Sequence, residues 1–305
     1  MRHTFTKIRL GIDLGGTKIE IIALDSSGDE LLRYRVATPQ GDYVATLQAM
    51  RGLVMQAETE LGCRGTLGVG APGAISGATG LLKNSNSVHL NGKPLKQDLE
   101  AMLQREVRIS NDANCFALSE AVDGAAAGAA VVFGVIIGTG TGGGVVVNGH
   151  VLNGRNAIAG EWGHNPLPWP LDDERPGLEC YCGKRGCIET FLSGPGLTRQ
   201  HALVSGQTLE AQLIVTRALS GDPACERSLL CYEDRLARSL AHVINILDPD
   251  VIVLGGGMSN IDRLYANVPG IWGNYVFSDR VDTQLVRPRF GDSSGVRGAA
   301  WLWNE

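Results

Sequence analysis

The stretch IRLGIDLGGTKIEIIALD, residues 8–25, reads as two apolar strands, 8–15 and 18–25, separated by the glycine turn GGT. A third strand, ELLRYRV at 30–36, follows the turn SSGD, so the chain opens as an antiparallel meander. Tyr43, Leu47, Met50, Leu53, Val54 and Leu61 then recur at helical spacing, and TLGVGAPG reads as a strand entering a Pro-Gly turn. VRISNDAN is a strand running into a polar turn, and CFALSEAV is a helix leading to a glycine- and alanine-rich stretch at 124–130, where the first domain is expected to end. Beyond it, VVFGVIIGTGTGGGVVVNGHVL at 131–152 repeats the pattern of strand, Gly/Thr turn and strand, as two versions of one hairpin unit would. Leu229, Tyr232, Leu236, Leu240, Val243 and Leu247 mark a long helix stopped by DPD, VIVLGGG is a buried strand, and SGVRGAAWLWNE closes the chain as a helix.

The 305 residues exceed what one hydrophobic core usually serves, and 44% hydrophobic content supplies two. A net charge of −5 argues against a surface built for nucleic acid or anionic lipid and points to a small-molecule partner. Residues 124–147 carry no charge, but their eight glycines would break a membrane-spanning helix. With no signal-peptide core at the amino terminus, a cytoplasmic location is expected. Seven cysteines, an odd count, point away from a disulfide framework and toward thiols or metal.

Three glycine turns stand at strand ends: GIDLGGTK, GTGTGGGV and LGGGMS. Each reads either as a tight turn needing positive φ or as a backbone grip on a phosphate chain. Asp13, at the end of the first strand, either caps its turn or holds the magnesium of a nucleotide, commonly through water. NDAN at 111–114 is a helix N-cap on its own terms.

GIDLGGTK (11–18), NDAN (111–114), GTGTGGG (138–144), AGEWGH (159–164), CYCGKRGCIE (180–189) and VIVLGGG (251–257) follow one another as in the ROK family of sugar kinases and sugar-responsive repressors, which the chain resembles over nearly its full length. Within the family it is most similar to bacterial fructokinases that also act on mannose. The resemblance implies a two-domain actin-like, ribonuclease-H-like α/β fold with a central cleft. Residues 1–122 with 293–305 would form one domain and 123–292 the other. It implies ATP with magnesium on Gly11, Ile12, Asp13, Leu14, Gly15, Gly16, Thr17 and Lys18, on Gly138, Thr139, Gly140, Thr141, Gly142, Gly143, Gly144 and Val145, and, at the adenosine, on Gly255, Gly256 and Gly257. Asp112 is implied as the base that deprotonates the C6 hydroxyl of a hexose, with fructose favoured. Asn86, Asn111, Asp112, Glu161, His164 and Glu189 are implied as sugar ligands.

His164, Cys180, Cys182 and Cys187 offer one imidazole and three thiolates, a complete tetrahedral set for structural zinc, and the resemblance places zinc on the same four. Such a metal would steady Glu161 and Glu189, with the second nitrogen of His164 turned to a sugar hydroxyl. Cys63, Cys115, Cys225 and Cys231 are left to ordinary burial. Trp162 or Trp169 would either narrow the sugar pocket or pack in the core. The competing readings are a kinase for mannose, glucose or N-acetylglucosamine, and a sugar-sensing repressor, for whose DNA-binding module the ten residues before GIDLGG leave no room. A homodimer, common in the family, is expected.

Overall fold

The computed structural model describes residues 8–304; residues 1–7, read above for targeting, and Glu305 lie outside them. The opening meander consists of β1 (Arg9–Leu14), β2 (Lys18–Leu24) and β3 (Glu30–Ala37), each antiparallel to the next. α1 (Tyr43–Leu61) starts at Asp42, whose carboxylate accepts from the N–H of Ala45 and so satisfies one of the open donors of the first turn. β4 (Thr66–Ala71), a short hairpin of β5 (Ala74–Ile75) and β6 (Leu82–Lys83), α2 (Leu95–Leu103), β7 (Val107–Asn111) and α3 (Asp112–Val122) follow. β4 pairs parallel with β1 and β7 with β4, giving the order β3-β2-β1-β4-β7. The near-continuous burial of β1, β2 and β4 shows that both faces of this sheet are covered.

The second sheet holds β8 (Val131–Ile137), β9 (Thr141–Val147), β10 (His150–Val151), β11 (Val251–Gly255) and β12 (Gln284–Val286) in the order β10-β9-β8-β11-β12. Position for position this is the order of the first sheet, so the echo between the two glycine hairpins is a repeat of topology. Between β10 and β11 lie α4 (Glu189–Leu192), α5 (Gly194–Ser205), α6 (Ala211–Leu219) and α7 (Pro223–Leu247); α8 (Arg263–Trp272) precedes β12, and α9 (Ser294–Trp301) closes the chain. The charge-free stretch 124–147 holds β8 and β9, and no helix among the described residues is long and apolar enough to cross a membrane.

The chain divides into two compact units. One holds the chain up to Gly128, Gly144–Ala159 and the chain from Asp292 onward; the other holds Ala129–Gly143 and Gly160–Gly291. The first therefore includes a segment, 144–159, that the division drawn from the sequence leaves in the second. In the second unit Glu174 is buried between Arg235 and Arg238, with Nε and Nη contacts to its carboxylate at 2.7, 2.8 and 2.9 Å. Burial alone would raise its pKa, but the two guanidinium groups prevail and hold it at about 2. Cys115 and Cys225 are buried as expected, whereas Cys63 and Cys231 are exposed. Cys63 follows the left-handed Gly62 that ends α1, and Cys231 lies on the outward face of α7, where apolar side-chain periodicity gives it no core position.

In the first unit α9 lies almost backbone to backbone on its neighbours. A methyl group on Gly298 would fall 1.6 Å from the carbonyl oxygen of Cys115 in α3, and one on Gly68 in β4 would fall 1.8 Å from that of Ala299. A methyl on Gly11 in β1 would meet the oxygen of Val296 at 2.2 Å. Beyond the helix, the indole N–H of Trp303 donates to Leu67 at 2.8 Å, and Arg108 lies 4.0 Å over its ring. Gly298→Ala gains about 1 kcal/mol of helix propensity but drives a methyl into a fixed carbonyl, which overpacking makes the larger effect. The expected net loss is at least about 2 kcal/mol, read as a lower midpoint in urea unfolding; an unchanged midpoint would mean that α9 can move away from α3 freely.

Candidate active site

The first unit brings Asp13, Asn111 and Asp112 to the ends of secondary elements. In the hairpin between β1 and β2, Gly15 donates to the carbonyl of Lys18 at 3.0 Å, and Thr38 Oγ1 donates to Gly15 at 2.7 Å, leaving Gly16 and Thr17 exposed at the tip. Gly11, Ile12 and Leu14, by contrast, are buried in β1, and Gly11 faces α9. The phosphate-gripping part of this motif is therefore its second half. Lys18 lies 3.6 Å from the buried Glu20. Asp13 is half-buried, and its carboxyl is raised to about 6, first by burial and then by the negative charges of Asp112 and Glu20, with Lys18 pulling it back.

NDAN is both a cap and a candidate base. Asn111 is the N-cap of α3: its Oδ1 accepts from the N–H of Ala113 at 2.8 Å, and its Nδ2 donates to Gly73 at 3.1 Å. Asp112 is thus the first residue of a helix rather than part of a free turn, because the helix starts three residues earlier than CFALSEAV suggested. Its side chain keeps an open edge to solvent, yet protein crowds the carboxylate; that burial raises its pKa, against the lowering effect of backbone N–H bonds and Asn111. Asn86 is exposed in the bend before the single 3₁₀ turn Val88–Leu90. Gly144 and Val145 are buried, with Gly144 set against Ala113 and Asn114 of α3.

In the second unit the hairpin tip Gly138–Gly140 closes through Gly138 N–H to Gly140 oxygen at 2.9 Å. Glu189, at the start of α4, accepts from the N–H of Thr141 at 2.9 Å through Oε2, so a nominated sugar ligand also braces the second glycine turn. Thr139 is exposed, Thr141 and Gly143 are buried, and Gly142 accepts from the indole N–H of Trp162 at 2.9 Å. Gly255 ends β11, and the left-handed Gly256, at φ 81°, turns the chain beneath Ile137 before Gly257. Gly138, Thr139 and Gly257 line one cavity of about 940 Å³ with Thr198, Glu210, Gln212, Met258 and Ile261. Two glycine turns that are far apart in sequence thus share one pocket, whose remaining wall comes from α5, the start of α6 and the 3₁₀ turn that begins at Gly257.

The loop 160–189 carries the remaining residues. Cys180 and Cys187 are buried and Cys182 is half-buried, in a turn closed by Cys180 N–H to Lys184 and Gly183 N–H to Cys180. One ligand atom from each of His164, Cys180, Cys182 and Cys187 lies within 4.8 Å of all the others. Cys180 Sγ is 3.5 Å from His164 Nδ1, and Cys182 Sγ is 3.6 Å from Cys187 Sγ. A zinc tetrahedron with Zn–S near 2.3 Å has edges of about 3.8 Å, so the donor set and its spacing fit that ion. Burial, then the neighbouring thiols, pushes Cys187 up to about 12, whereas the backbone N–H of Lys184 holds Cys182 below the usual thiol value. Glu161 is exposed beside the buried Trp162.

Tyr181 carries no motif in the sequence beyond being the residue between two cysteines. Its hydroxyl lies 2.9 Å from Nε2 of His164, with the rings edge to face at 5.0 Å. The signal was available: when Cys180 and Cys182 turn inward together, the residue between them is forced outward. Trp162 is buried, whereas Trp169 is half exposed. Trp162 packs on Phe133 at 5.6 Å, and Trp169 packs between His242 and Tyr275.

A family model described as the ROK family matches residues 9–305. An N-acetyl-D-glucosamine kinase of Yersinia pseudotuberculosis is 40% identical over 296 residues, covering 96% of this chain and 97% of that protein. The crystal structure of a ROK hexokinase from Thermus thermophilus superposes with a TM-score of 0.86 at 32% identity, covering 97% of both chains. A ROK family glucokinase from Streptomyces griseus, in complex with glucose and AMPPNP, gives 0.75 at 28%, covering 97% of this chain and 98% of that one. The two-domain actin-like α/β fold expected from the sequence is the fold of these proteins.

The raised carboxyl of Asp13 has a measurable consequence. A carboxyl whose folded pKa lies above its unfolded value penalises the folded state once ionised, so the penalty is absent below about pH 4 and complete above about pH 6. Asp13→Asn, without added magnesium or nucleotide, is expected to stabilise the protein by about 1–3 kcal/mol at pH 7.5 and by nothing near pH 4. Thermal unfolding across that range checks it, and a gain independent of pH would remove Asp13's charge as the cause.

Proposed function

Because the chain belongs to the ROK family of sugar kinases and sugar-responsive repressors, we propose that it is an ATP-dependent hexose kinase acting on the C6 hydroxyl, with Asp112 as general base. The observation that carries this reading is Asp112 itself: a carboxylate fixed at the first turn of α3, open to solvent on one edge and raised in pKa by burial. In the reaction the O6–Pγ bond forms as the bond from Pγ to the ADP leaving oxygen breaks, and the proton of O6 passes to Asp112. A carboxylate with a raised pKa is the better acceptor for that proton near neutral pH.

Asp13 would hold the magnesium of the nucleotide through water, and that ion would neutralise charge on the phosphates. Ionised Asp13 is favoured by such a cation, which offsets the burial that otherwise raises it. Gly15–Lys18 and the turn at Gly138–Gly140 would grip phosphates, and the cavity bordered by Gly257 would take the adenosine. Asn86, Asn111, Glu161, His164 and Glu189 would serve the sugar hydroxyls. His164, Cys180, Cys182 and Cys187 would hold zinc as a staple, with no open position for chemistry.

Fructose is the favoured acceptor, supported by the resemblance of the motifs to bacterial fructokinases. N-acetylglucosamine is the second reading, favoured by 40% identity to N-acetyl-D-glucosamine kinases over nearly the whole chain. Comparing kcat/KM for fructose, mannose, glucose and N-acetylglucosamine at fixed ATP separates them; a higher value for the aminosugar keeps the kinase and replaces the substrate. In the same assay Asp112→Asn is expected to lower kcat at least about 100-fold with the fold intact. A kcat within a few-fold of the parent would rule out Asp112 as the base.

Metal analysis is expected to find one zinc per chain, and Cys182→Ser is expected to lose both zinc and sugar phosphorylation while an ATP analogue still binds. Full activity in a preparation free of zinc would sink the structural metal.

A further inference from the structure

His164 has two ring nitrogens with different neighbours. Nδ1 faces the thiol cluster, 3.5 Å from Cys180 Sγ, and Nε2 faces the hydroxyl of Tyr181 at 2.9 Å. If Nδ1 is a metal ligand, it carries no proton and Nε2 carries one, so the Nε2–H donates and the tyrosine oxygen accepts. The tyrosine's own O–H is then left to donate, in a region where Glu189 and Glu161 supply negative charge. A group that accepts from an imidazole N–H and offers a proton to a carboxylate has the hydrogen-bonding pattern of a sugar hydroxyl.

Tyr181 is also free to leave. It is 83% exposed, its ring touches His164 only edge to face, and it sits in a turn whose backbone is closed by Cys180, Gly183 and Lys184 without its side chain. We infer that Tyr181 stands in for a sugar hydroxyl on Nε2 of His164 in the sugar-free protein and is displaced when the hexose binds, making it a positioning residue that sets sugar affinity. This rests on the hexose kinase reading and on the nomination of His164 as a sugar ligand. The incoming hydroxyl exchanges one hydrogen bond to Nε2 for another, so the tyrosine lowers affinity for every sugar that uses this nitrogen without touching the phosphoryl transfer.

Tyr181→Phe keeps the ring and removes the competing hydroxyl. Calorimetric titration of parent and variant with fructose, mannose, glucose and N-acetylglucosamine, without ATP, is expected to show the bound sugar held about 2- to 10-fold more tightly by the variant, the range of one ordinary hydrogen bond. KM for the sugar should fall by the same factor, with kcat, KM for ATP, zinc content and melting temperature unchanged. Equal or weaker sugar binding by the variant overturns the role of Tyr181 and leaves the kinase standing. Loss of zinc or of thermal stability also overturns it, by making the hydroxyl a structural member of the loop. Failure of both proteins to bind or phosphorylate any of the four sugars overturns the hexose reading beneath it.

Discussion

The contact of α9 with β1, β4 and α3 is the constraint on which the first unit depends. Three glycines remove the side chains that would separate these elements: Gly298 lets the helix meet a carbonyl of α3, and Gly11 and Gly68 let the strands meet carbonyls of the helix. Asp13 stands one residue before the end of β1 and Asp112 begins α3, so both carboxylates belong to elements that α9 touches directly. The price is a joint with no room for adjustment. Close-packed interiors tolerate little added volume, and a backbone carbonyl cannot rotate aside as a side chain can. The last helix of the chain is therefore locked to the elements that carry Asp13 and Asp112, and Arg9 and Arg108 extend the same clamp over Trp301 and Trp303.

In the second unit one side-chain hydrogen bond does comparable work. Glu189 follows the last cysteine by two residues and accepts from the N–H of Thr141 in the glycine hairpin. Gly163, next to His164, is packed on the carbonyl of Thr141, and Glu189 N–H donates back to Gly163. The thiol loop, the first residue of β9 and a nominated sugar ligand are thus one connected structure. A metal on the four donors would stiffen a loop already tied to the hairpin, which is the reason a staple there can matter to residues that never touch it.

Legibility in the sequence followed the range of the interactions. The β1–β2–β3 meander, α1, β4, the β8–β9 hairpin, α7 and β11 were readable because period and glycine turns are local signals. The clustering of His164 with the three thiols was readable because three of the four donors lie within eight residues of chain. The start of α3 was misplaced because a capping asparagine and a polar turn look alike until the N–H of Ala113 is seen to bond Asn111. The exposure of Cys63 and Cys231 was not readable, since cysteine is a small hydrophobe by composition and its burial is decided by which face of an element it occupies. Nor was the role of Gly11, which stands in a nucleotide motif yet is fixed by a helix some 285 residues later, or the return of Gly144–Ala159 to the first unit.

Sugar choice is where identity and mechanism separate. A base, a metal-holding carboxylate and glycine turns serve any hexose, so 40% identity to N-acetyl-D-glucosamine kinases carries the chemistry more firmly than the substrate. An N-acetyl group needs volume and a polar partner; a bare hydroxyl needs a matched donor and acceptor, and leaving either unpaired costs about 1–3 kcal/mol. Trp162 packs on Phe133 and donates to Gly142, and Trp169 lies against His242 and Tyr275 with half of its surface open. The loop of Asn86 is held by two hydrogen bonds between Ser85 and Asn91, at 2.8 and 2.9 Å. On the proposed hexose kinase reaction Tyr181, held by one hydrogen bond to His164, would act by exchange, lowering the affinity of every sugar that uses that nitrogen rather than selecting among them.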